Sequence, residues 1–111
     1  MFEELEKLCD RVALISDGHI IDIADMNEDI HNRPQRDFKI EFHTILDYEE
    51  FKKSGYEIMR DHKKYSQVTV RIDKKYINSL FQQLKKYDVK FISEVKYTLD
   101  KHFKEIMNEG E

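Results

Sequence analysis

Five histidines, one cysteine and several paired carboxylates are the residues of this 111-residue chain whose types could support chemistry. His19, His31, His43, His62 and His102 form no i, i+4 pair and no H-E-x-x-H pattern. A metal site would need several of them to converge with a cysteine or a carboxylate. Solvated or partly buried surface histidines are the simpler expectation, and no metal is expected. Cys9 could serve as a nucleophile only beside a group that stabilises its thiolate. Its neighbours Glu6 and Asp10 oppose that, so it reads as a packing residue on the apolar face of a helix. The carboxylates Glu3/Glu4, Asp22/Asp25 and Asp47/Glu49/Glu50 fall in expected turns and first turns of helices. Capping and dipole effects account for them, whereas general acid–base pairs need desolvation to separate their pKa values. No catalytic residue is expected.

Other clusters also have a plain reading beside the functional one. A phosphate-cradling loop needs clustered glycines. There is no G-x-x-x-x-G-K-[ST], and Gly18, Gly55 and Gly110 are far apart. Lys52, Lys53, Arg60, His62, Lys63 and Lys64 could meet anionic headgroups, but Glu57 and Asp61 dilute them and a solvated loop is expected. The aromatics Tyr48, Phe51, Tyr56, Tyr65, Tyr76, Phe81, Tyr87, Phe91 and Tyr97 could stack bases on a sheet. With no RNP-like pattern and a formal charge of −4, core packing explains them better, with Phe91 and Tyr97 in register with the core face. Asp10-Arg11 reads as a local ion-pairing element or, functionally, as part of a subunit interface.

Length and composition narrow the class. One modest core fits 111 residues. Hydrophobic residues at 40% and charged residues at 38% suit an α+β domain. The acidic balance argues against nucleic-acid partners, which need a clustered Lys/Arg surplus. A single cysteine fits a reducing, cytoplasmic setting, and no run reaches the ~20 apolar residues of a membrane-spanning helix.

The elements follow from periodicity and punctuation. Phe2 to Cys9 has helical spacing, followed by apolar runs Val12 to Ile15 and Ile20 to Ile23 around an Asp17-Gly18 turn. Val12, Leu14, Ile15, Ile20, Ile21 and Ile23 place apolar groups on both faces of this hairpin. Both faces therefore need cover, and the six are the candidate interface. Pro34 marks a boundary, giving segments 1–33 and 34–111. After it, Phe38, Ile40 and Phe42 alternate as a strand. Asp47 and Glu50 suggest a capping box for a short helix ended by Ser54-Gly55. Tyr56 to Arg60 and Val68 to Ile72 are strands. Ile77, Leu80, Phe81 and Leu84 form a helical stripe, and Val89 to Tyr97 a final strand whose alternation Ile92 breaks. Thr98 caps a last helix carrying Leu99, Phe103, Ile106 and Met107. The order β-α-β-β-α-β, then α, is that of a ferredoxin-like antiparallel sheet with an extra C-terminal helix.

The stretch Phe2-Glu3-Glu4, Glu6, Leu8-Cys9-Asp10-Arg11-Val12 and Gly18 resembles the segment of ABC transporter ATP-binding subunits that follows the switch histidine. The remainder resembles, more loosely, the C-terminal accessory domain of some such subunits, and Leu99-Asp100-Lys101-His102-Phe103 is similar to an L-E-x-x-F-like stretch found there. The family's Leu-Ser-Gly-Gly-Gln and hydrophobic-run-Asp-Glu segments do not occur. The switch histidine would fall immediately before Met1, so the chain looks like a subunit cut after its last catalytic residue.

The resemblance implies a parent that hydrolyses ATP with Mg²⁺ and docks on a membrane permease at the inner face of the cell membrane. This chain itself is expected to bind no cofactor, to be no enzyme alone, and to act as a regulatory module for dimerisation or coupling to the transporter, with a second copy of itself as partner in a homodimer. The alternative is a ferredoxin-like module that senses a small molecule at a dimer interface.

Overall fold

Alternating apolar residues build six strands among the described residues, and these sort into two antiparallel sheets. The computed structural model describes residues 2–109. Met1, Gly110 and Glu111 lie outside the described residues. In chain order the elements are α1 (Glu3–Leu8), β1 (Arg11–Ser16), β2 (His19–Asp25), β3 (Gln35–Phe42), α2 (Ile45–Lys52), β4 (Glu57–His62), β5 (Gln67–Asp73), α3 (Ile77–Leu84), β6 (Val89–Val95) and α4 (Leu99–Glu109). The class is α+β. The chain divides into two compact units, Met1–Arg33 with Tyr97–Glu111, and Pro34–Lys96.

In the first unit, β1 and β2 pair through a turn at Asp17 and Gly18, both with positive φ (52° and 77°). That backbone matches the twist of a two-residue hairpin, and Asp-Gly is suited to it. The Asp25 carboxylate accepts the Asn27 and Glu28 N–H groups at 2.9 and 3.0 Å and starts a wide helical turn, Met26–His31. Sequence patterning assigns residues 34–111 to one domain, but α4 belongs with the hairpin. Leu99 and Phe103 are buried with Ala24, Met26 and Ile30, and Val12, Leu14, Ile106 and Phe2 pack around them. A two-stranded sheet is marginal in water without such cover. The Thr98 hydroxyl accepts the Lys101 N–H at 3.3 Å and caps this helix, as its sequence predicts.

The second unit holds a four-stranded sheet in the order β4-β5-β3-β6, with every neighbouring pair antiparallel. Phe38, Ile40 and Phe42 of β3 and Val68, Val70 and Ile72 of β5 share one face. Tyr48 and Phe51 from α2 and Leu80 and Leu84 from α3 close over that face. Two local expectations need correction. The N-cap of α2 is Thr44, whose hydroxyl accepts the Asp47 N–H at 3.2 Å. Asp47 instead accepts the Asp88 N–H at 2.8 Å, tying the helix start to the loop before β6. In β6 a register shift opposite Glu41 and Phe42 brings Val89 and Ile92 onto the core and leaves Phe91 exposed. The bulge accounts for the broken alternation, and Tyr97 lies in the first unit.

Candidate functional site

The two faces of the hairpin have different fates. Register pairs Val12 with Ala24 and Leu14 with Asp22, and this face meets α4. Period-two alternation turns Ala13 and Ile15 the other way, opposite Ile23 and Ile20. Ile21 is the extra residue at the register shift between Leu14 and Ile15. Ile15, Ile20, Ile21 and Ile23 are 63, 61, 44 and 55% exposed. The six candidate interface residues therefore separate: Val12 and Leu14 are half-buried in the first unit's own core, and four isoleucines form an open apolar face. Contiguous apolar patches of a few hundred Å² mark association sites more often than single exposed side chains do. Leu8 at the end of α1 is also exposed.

Cys9 departs from its expectation. It follows the end of α1 in extended conformation, half-buried, and lines an open polar cleft of about 380 Å³ with Glu6, Asp10, Asp25, Glu28 and His31. Among the acidic side chains there, Asp25 caps the wide turn, and the backbone carbonyl of Asp10 accepts the Met26 N–H at 2.8 Å. No group of three His, Cys, Asp or Glu side chains that could hold a metal occurs among the described residues. Arg11 is exposed and forms no ion pair among the described residues, which corrects its expected local pairing.

The histidines do not converge. His19, His31, His43 and His62 are exposed. His102 is half-buried, and its spacing in the sequence gives no hint of its role. Its Nε2 lies 3.3 Å from Asp22 Oδ2, and its Nδ1 lies 3.0 Å from the Tyr97 hydroxyl. That hydroxyl donates to Glu105 Oε2 at 3.0 Å, and the Arg33 guanidinium sits 3.6 Å from the centre of the Tyr97 ring. Burial pushes the Tyr97 phenol up to about 12, with Glu105 reinforcing the rise and Arg33 opposing it.

The basic stretch in the second unit is partly neutralised. Lys52 pairs with Asp61 at 2.8 Å and also donates to the Tyr48 hydroxyl at 3.2 Å, while that hydroxyl donates to Asp61. The hydrogen bond from Lys52, then that from Tyr48, holds the Asp61 carboxyl below its ordinary range. Arg60, His62 and Lys63 remain exposed. No helix among the described residues is long and apolar enough to cross a membrane. No protein-family model matches this chain, and no curated protein matches it.

Proposed function

We propose that this chain is the C-terminal part of an ABC transporter ATP-binding subunit and acts as a non-catalytic dimerisation and coupling module. The sequence of α1 and β1 supports that reading through its likeness to the segment after the switch histidine. The strand order of the second unit, with both helices on one face, is compatible with a ferredoxin-like accessory domain. On this reading ATP and Mg²⁺ belong to the rest of the parent subunit, which works in the cytoplasm against a membrane permease.

One observation carries the proposal: the hairpin buries one face under α4 and leaves Ile15, Ile20, Ile21 and Ile23 open on the other. In a complete subunit the ATPase core would cover this face. In the isolated chain, a second copy is its partner, meeting it as the same patch on both sides of a two-fold axis. Light scattering on the intact chain should give twice its 13.5 kDa mass. Ile20→Lys with Ile23→Lys should return it to a single copy with its circular dichroism unchanged. A dimer that survives both lysines removes the hairpin from the interface, and a monomeric parent chain refutes dimerisation.

A further inference from the structure

We propose, independently of the function put forward above, that the sheet face of the second unit turned away from its helices binds a small phosphomonoester. Arg60 and Lys39 hold the phosphate over the Thr69 hydroxyl.

The strand registers set three rows of side chains across this face. Glu57, Arg71, Asp37 and Val95 form one, and His62, Gln67, Glu41 and Phe91 form another. Between them lie Arg60 of β4, Thr69 of β5, Lys39 of β3 and Ser93 of β6. In the outer rows the β3 carboxylates are committed. Both Asp37 oxygens accept from Arg71. Gln67 donates to one Glu41 oxygen at 3.0 Å, and Lys90 Nζ lies 3.2 Å from the other. The middle row contains no carboxylate, and neither Lys39 nor Arg60 forms an ion pair or side-chain hydrogen bond among the described residues. Thr69 is only 8% exposed, yet its hydroxyl makes no hydrogen bond among the described residues. A buried hydroxyl without a partner is uncommon.

A bulge places Arg60 in this row. Ile58 pairs with Val70, but Arg60 rather than Met59 pairs with Thr69. Without the extra residue, Met59 would stand opposite Thr69, and Arg60 opposite Val68 on the helix-covered side. Bulges re-aim side chains in this way. Arg60 and Lys39 flank β5 with their Cα atoms roughly 10 Å apart, and both side chains are long enough to meet on one anion above Thr69. A guanidinium fork and an ammonium make charge-assisted hydrogen bonds to phosphate oxygens, and the Thr69 hydroxyl adds an uncharged donor. The flanking rows limit the size of the ligand. Glu57, Asp37 and Glu41 would repel a polyanion or an anionic membrane laid across the sheet, whereas a single phosphate fits the middle row. Phe91, exposed on the same face two residues from Ser93, offers its ring to the organic part.

The test is an amide-resolved NMR titration of the intact chain with inorganic phosphate and with phenyl phosphate, at constant ionic strength and up to about 10 mM, the weak end of specific binding. Both should give saturating shifts centred on Lys39, Arg60 and Thr69, and phenyl phosphate should also move Phe91. Lys39→Gln and Arg60→Gln should each weaken binding by about fivefold, the upper end for a solvent-exposed charge pair. Lys64→Gln, outside the row, should leave it unchanged. Thr69→Val keeps the shape of the buried side chain and should weaken binding too. If that variant does not fold, the two glutamine variants decide. Shifts that do not saturate, that spread over every exposed lysine and arginine, or that survive both glutamines overturn the site and leave an adventitious ion only. Capture of the chain by phosphatidylserine vesicles that phosphate fails to displace overturns the small ligand in favour of a membrane surface.

Discussion

Arg71 of β5 holds Asp37 of β3 through two parallel hydrogen bonds, Nε to Oδ1 at 2.8 Å and Nη2 to Oδ2 at 2.9 Å, directly across the strand register. Both side chains are largely shielded, 11 and 14% exposed, although they lie on the sheet face opposite the helices. Removing one partner leaves a shielded charge without its counterion, so Asp37→Ala should cost the second unit about 3 kcal/mol in urea denaturation. Arg71→Lys keeps the charge but loses the planar fork, and should cost less than Asp37→Ala but more than zero.

The start of α2 can be tested by comparing two nearby positions. Thr44→Ala removes the cap and should destabilise the second unit by about 1 kcal/mol. Asp47→Ala should leave that cap in place and release the Asp88 amide instead. Amide exchange separates them: Thr44→Ala exposes the Asp47 N–H, and Asp47→Ala exposes the Asp88 N–H.

Acid should act on the second unit through Asp61. Its carboxyl sits below the ordinary range in the folded state because Lys52 and then Tyr48 donate to it. Such a group stabilises the fold above the unfolded carboxylate value of about 4 and loses that contribution as the pH falls through the folded value. A thermal-unfolding series from pH 7 downward should show an acid decline that Asp61→Asn makes shallower. An identical decline in both proteins would count against this assignment.

The legible parts of the fold are those that local rules decide. Asp17-Gly18 marks the hairpin, Val68, Val70 and Ile72 mark β5, and Thr98 marks the start of α4. The two-faced apolar pattern of β1 and β2 also calls for cover on both sides. Choice of partner was not legible. Leu99, Phe103 and Ile106 announce that α4 buries a stripe, but the same stripe could lie on either sheet. Thr44 and Asp47 are both good caps, and a contact from the distant Asp88 amide decides between them. Ile92 against Phe91 depends on a bulge opposite β3, which no periodicity within β6 reveals. His102 was hardest, because its partner Asp22 is brought to it only by the return of the last segment to the first unit.

The most direct test of the central claim is the solution mass of the intact chain as a function of concentration, beside the Ile20→Lys, Ile23→Lys variant. The account predicts a dimer for the parent chain and a folded monomer for the variant, because two lysines on the open hairpin face cannot be buried against their own copies. Equal masses for the two proteins, whether monomer or dimer, would contradict it.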